Sequence, residues 1–145
     1  MIVKSVVLPC DPGRAFVLFT EHAGLWWPTG RRHTKDACSA IRMEPGGRFF
    51  ERSKDGTEVE LGLVHQFETA RRLLLDWYPG TGQEAPTRVE VTFEAVDGGT
   101  RVTVHHGPGS AGSVAFGRNA PAYERSWDAV LAALASHDRV LLDIA

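Results

Sequence analysis

Arg88-Val89-Glu90-Val91-Thr92-Phe93-Glu94-Ala95-Val96 runs into Asp97-Gly98-Gly99 and on into Thr100-Arg101-Val102-Thr103-Val104-His105-His106. Side chains on a strand point to opposite faces in turn, so strict alternation of apolar and polar residues describes strands with one dry and one wet face. Asp-Gly between two such runs is a strong hairpin signal, because the turn needs positive φ angles that glycine adopts without penalty. Val89, Val91, Phe93 and Ala95 are therefore expected on one face with Val102, Val104 and His106. Arg88, Glu90, Thr92, Arg101, Thr103 and His105 are expected on the other.

The same punctuation recurs upstream. Glu44-Pro45-Gly46-Gly47 and Lys54-Asp55-Gly56-Thr57 read as turns, and Pro79 to Pro86 reads as a loop. Strands are expected at Ile2–Leu8, Ala37–Glu44, Gly47–Ser53, Thr57–Glu68, Arg72–Tyr78, Thr87–Val96 and Thr100–His106. Leu73, Leu75 and Trp77 share the dry face of the fifth. On the fourth, Val59, Leu61, Leu63, His65 and Phe67 share it, unless Gly62 marks a bulge that swaps the faces beyond it. After the first strand, Asp11 is placed to cap a short helix with Pro12 in its first turn and Ala15, Phe16, Leu18 and Phe19 on its apolar side. His22 to Trp27 forms a second helical turn ended by Pro28, and the polar, basic stretch Thr29–Asp36 reads as a mobile loop. Gly107 to Asn119 shows no periodicity. Pro121 is expected to open a final helix whose stripe is Tyr123, Trp127, Val130, Leu131, Leu134 and Leu141.

At 145 residues, with 43% apolar and 23% charged, the chain has the size and make-up of one folded domain. A formal charge of −2 and a pI near 6.3 give no electrostatic case for nucleic acid. No apolar run is long enough to enter a membrane, and the start lacks the pattern of a signal peptide, so a cytoplasmic protein is expected. Cys10 and Cys38 read as thiols rather than a disulfide. Neither CxxC nor HExxH occurs, and no metal or cofactor is expected.

An α+β chain of this order, with two short helices after the first strand and a long C-terminal helix, resembles the helix-grip fold of the START and birch-pollen-allergen superfamily. Within it the chain resembles the family named after the activator of the heat-shock-protein-ninety ATPase. The residues that carry the likeness are Ala15-Phe16, Leu18-Phe19-Thr20, Trp26-Trp27-Pro28, Glu44-Pro45-Gly46-Gly47-Arg48-Phe49, Asp55-Gly56-Thr57-Glu58, Asp76-Trp77, Thr87 to Phe93, Gly99 to Val104, and Trp127 to Leu134. The resemblance implies a single domain over residues 1–145, about seven antiparallel strands curved around the last helix, and a pocket where sheet and helix part. The glycine-rich stretch from Gly107 to Ser113 departs from the compact turn of such relatives.

A pocket of that kind is lined mainly by apolar and aromatic groups with a few polar ones. Trp26, Trp27, Met43, Phe49, Leu61 and Leu63 are the candidates from the first half of the chain. Glu51, Leu75, Trp77, Phe93, His106 and Trp127 complete the set. Glu51 would be a buried carboxylate in need of a partner, for which Arg42 or His106 is in view. His106 is either a core histidine bonded to a backbone carbonyl or to Glu51, a polar anchor for a ligand, or a general base. The leading reading is non-catalytic binding of a small hydrophobic or amphipathic molecule. Below it stand a chaperone-ATPase-activating contact with a protein partner, and a small cyclase- or hydrolase-type enzyme using His106, Glu51 or His65. A homodimer is a further possibility.

Overall fold

A computed structural model describes residues 1–144, with side chains to Ser136. The side chain of Leu141, placed in the apolar stripe from sequence, lies outside that range. The elements are β1 (Ile2–Leu8), α1 (Pro12–Thr20), α2 (Ala23–Trp26), β2 (Ala40–Met43), β3 (Arg48–Arg52), β4 (Glu58–Glu68), β5 (Arg72–Trp77), β6 (Thr87–Val96), β7 (Gly99–Gly107) and α3 (Gly112–Ile144). All seven strands form one antiparallel sheet in the order β1-β7-β6-β5-β4-β3-β2, so only β1 leaves sequence order, pairing with β7. The sheet curls as a half-barrel around α3.

The β6–β7 hairpin has the expected register, with Val91 opposite Val104 and Phe93 opposite Val102. Val89, Val91, Val102 and Val104 are fully buried. Each contributes roughly 1.5–3 kcal/mol by leaving water. Arg88, Glu90 and Thr92 alternate with them and are half-buried, while Ala95, near the hairpin tip, is exposed. Asp11 caps α1 as its sequence requires, its Oδ1 accepting from Arg14 N at 2.8 Å with Pro12 in the first turn.

Three expectations are corrected. β2 is shorter than Ala37–Glu44, because Asp36 spends the preceding residues on a turn in which its Oδ1 accepts from Cys38 N and its carbonyl from Ser39 N. On β4 the pairing register shifts opposite Phe49/Phe50 and again between Val64 and Gln66. Leu63 is therefore exposed and Val64 buried, the reverse of strict alternation. A side chain at Gly62 would collide with the Asp76 carbonyl, which explains the glycine there. Finally, α3 begins at Gly112, not at Pro121, which sits inside the helix on its exposed face. Phe116 and Ala120 extend the buried stripe of Tyr123, Trp127, Val130, Leu131 and Leu134 back through the proline. Burying Phe116 helps offset the roughly 3 kcal/mol of an interior proline.

Candidate ligand-binding site

Where β5 ends, sheet and α3 part and leave a cavity of about 270 Å³. Its wall is aromatic. Trp77 is the last residue of β5, Trp127 and Tyr123 come from α3, and Trp27 follows α2. The Trp77 ring lies 5.0 Å from Trp127 and 5.0 Å from Phe49, which backs it from behind. The rim is polar, made by Gly30 to His33 on one side and by Asn119 and Ser126 of α3 on the other. Gly80 also lies on the rim, with a φ of +91°. A Cβ there would strike the Tyr123 hydroxyl, which donates to Pro79 O at 2.8 Å. Burial pushes the Tyr123 phenol up from its ordinary value, so it stays protonated and a donor.

His106 sits behind this wall, fully buried. Trp127 Nε1 donates to its Nδ1 at 3.0 Å, and Thr87 Oγ1 lies 2.8 Å from its Nε2. An indole N–H can only donate, so Nδ1 is the acceptor and Nε2 carries the proton. Nε2 then donates to Thr87, whose hydroxyl donates to Trp77 O at 3.3 Å. Burial pulls the imidazole down to about 4, so it is neutral near pH 7. Tyr123 at 4.2 Å and Phe116 at 5.4 Å, both between ring centroids, enclose it further. His106 is thus a core histidine that ties Trp127 to the sheet, and its partners are not those expected from sequence.

Glu51 is likewise buried, and neither Arg42 nor His106 is its partner. Its Oε1 accepts from His33 N at 2.7 Å, and its Oε2 accepts from Thr34 N and Ser39 Oγ at 2.9 Å and from Thr34 Oγ1. Burial raises the carboxyl, but these hydrogen bonds outweigh it and hold Glu51 below the usual carboxylate range. Ser39 links it to Arg32, whose guanidinium donates to Ser39 O and Oγ, Gly24 O and Trp27 O at 2.7–3.0 Å. Burial lowers the Arg32 pKa, opposed by the nearby Glu51 charge. The segment read as a mobile loop is therefore clamped by a buried carboxylate from beneath.

Of the twelve residues singled out from sequence, Trp27, Trp77 and Trp127 line the cavity. Phe49, Leu61, Leu75, Phe93 and His106 are core residues, and Leu63 faces solvent. Trp26 is buried with its indole N–H on Leu18 O at 2.9 Å. Met43 lines a separate depression with Glu21, His22 and Phe67. His65 lies outside the core, 2.9 Å from Asp76. The sequence alone marks neither the polar rim nor Tyr123 as part of a site. Tyr123 was in view, seven residues after Phe116 and four before Trp127 on one helix face, but the rim belongs to a segment with no period to read.

A family model described as Activator of Hsp90 ATPase homolog 1-like protein matches residues 10–137. Among solved structures, the chain is similar to CalC of Micromonospora echinospora, described as a self-sacrificing resistance protein. The two are 24% identical with a TM-score of 0.69, over 99% of this chain and 95% of that one. A protein from Nitrosomonas europaea aligns at 13% identity and TM-score 0.66, over 99% and 95%. Txn09, an anthrahydroquino-gamma-pyrone synthase, aligns at 27% identity and TM-score 0.55, over 80% and 82%. No curated protein matches the chain.

Proposed function

Since the chain belongs to the Activator of Hsp90 ATPase homolog 1-like family, we propose that it binds a small hydrophobic or amphipathic molecule between the end of the sheet and α3 without converting it. The observation that carries this reading is the cavity of about 270 Å³ walled by Trp27, Trp77 and Trp127. Left dry, a void of that size would cost about 6 kcal/mol. That is a large share of the roughly 5–15 kcal/mol that holds a domain together. Concave, mostly aromatic walls with a few polar groups at one side suit a small ligand. Titration with hydrophobic ligands should change tryptophan emission saturably and raise the melting temperature. A broad library that moves neither would refute the reading.

The 27% identity to a synthase favours a second reading, in which the same cavity houses a reaction. His106 is unsuited to it, since both ring nitrogens are engaged internally. His33 is the only imidazole among the described residues lining the cavity. Recovering a bound ligand after prolonged incubation and comparing its mass and chromatographic retention with the input decides between the two, because binding alone returns the same compound, whereas a ring closure changes retention even at unchanged mass.

A further inference from the structure

Arg31, Arg32 and His33 stand in a row on the cavity rim, and among the described residues lining the cavity none is Asp or Glu. The chain as a whole has 18 acidic residues to 16 Lys and Arg, so this stretch of rim runs against the average. The two arginines differ. Arg32 is consumed by the clamp, giving its N–H groups to Gly24, Trp27 and Ser39 and facing the charge of Glu51. Arg31 is exposed, and its guanidinium makes no hydrogen bond or ion pair with any described residue.

Its backbone, by contrast, is fixed. Arg31 N donates to Pro28 O at 3.0 Å, and Arg31 O accepts from Trp27 Nε1 at 3.3 Å. The cation is thereby rooted on the indole that forms one wall. Across the cavity, Ser126 adds a hydroxyl with no partner among the described residues, and Asn119 has its amide nitrogen on Ala115 O at 3.0 Å and its oxygen uncommitted. A guanidinium next to a low-dielectric aromatic wall attracts an anion more strongly than the same group over open water.

We propose that the ligand of this cavity is an aromatic acid, with its planar body against Trp77 and Trp127 and its anionic group on Arg31. The assignment rests on the binding function proposed above and adds to it the chemistry of the ligand's polar end. Two dyes with one aromatic body separate the claims: 8-anilinonaphthalene-1-sulfonate carries the anion, and N-phenyl-1-naphthylamine lacks it.

Both dyes are titrated into the whole protein and into Arg31→Gln, at low and high salt, with melting temperature confirming that the variant is folded. The sulfonate dye should bind at least about fivefold more tightly than the neutral one, near the upper end for an exposed ion pair. That advantage should shrink with salt and vanish in Arg31→Gln, return in part in Arg31→Lys, and leave the neutral dye's affinity unmoved. Equal affinities for the two dyes, or an advantage that survives Arg31→Gln, overturn the assignment while the cavity still binds. Failure of both dyes to bind overturns the cavity reading and this assignment with it.

Discussion

Under α1, Phe16 stands edge-on to Phe67 at 4.9 Å and to Phe93 at 5.1 Å, and Phe19 lies 5.9 Å from Phe93 and 5.8 Å from Trp26. At the other end of the same sheet Trp77 meets Trp127 and Phe49, each at 5.0 Å, yet a cavity of about 270 Å³ remains. Thr87 and Phe93 mark the two ends on β6, six residues or about 20 Å apart. Both ends are rich in aromatic rings, so ring supply does not separate them. What differs is the covering element. α1 inserts two phenylalanines, whereas α3 sets Ala122 and Ser126 beside Tyr123 and Trp127 along the cavity, and the opposing loops present Gly30 and Gly80. Small residues facing large ones hold the grip open.

The largest expected effect is at the closed end. Phe19→Ala should cost about 4 kcal/mol in urea unfolding, as a fully buried ring leaves a void, while ligand binding at the open end persists. A loss below about 1 kcal/mol would mean that the closed end is as loosely filled as the other.

His106 lies behind the open end, and acid should find it. Burial holds its imidazole down to about 4 against an ordinary value of 6.5. The unfolded chain takes up a proton that the native one refuses, so the stabilisation is complete above pH 6.5. It is lost as pH falls and levels off near pH 4, for a total of about 3 kcal/mol. His106→Gln should flatten that slope between pH 6.5 and 4. Glu51, held below the usual range, contributes stability that is lost at lower pH still.

Next comes the wall itself. Pro121 is exposed and interior to α3, so Pro121→Ala should raise stability by about 2 kcal/mol. Were Pro121 the first residue of the helix, the same change would gain nothing, so thermal melts of this variant locate the helix start. Smallest is Ser126→Leu, which adds an apolar side chain to the cavity. It should raise stability by about 1 kcal/mol and abolish binding of cavity-sized ligands, converting the open end into a copy of the closed one.

The strands were largely legible because each face of the sheet is single-minded. Ile2–Leu8 and Thr87–Val96 coincide with their expected limits, and the Asp97-Gly98 turn pins the register of β6 against β7. Alternation stops being informative at an irregularity. One glycine hinted at a bulge on β4 that would swap the faces of Leu63 and Val64, but nothing in the sequence settled whether it occurs or that the register shifts twice. The start of α3 was concealed by chemistry that argues the other way, since glycines and a proline usually mark an end and a beginning. Phe116 and Ala120, in step with Tyr123, were the contrary signal. At the site, the three indoles stood out by residue type. The rim did not, because His33 owes its position to Glu51, eighteen residues later, and no local pattern encodes that contact.

The pairing of β1 with β7 joins Ile2 to His106 and Leu8 to Thr100. On the ribosome, at about 5–20 residues per second, roughly a hundred residues must be made after β1 before its partner exists, a wait on the order of 5–20 s. During that time Ile2 and Leu8, both buried in the finished sheet, have no native strand to pair with. The β2-to-β6 ladder, by contrast, can zip neighbour to neighbour as it emerges. Closure of β1 onto β7 and docking of α3 come after the β2-to-β6 ladder, so within this fold the cavity takes shape last.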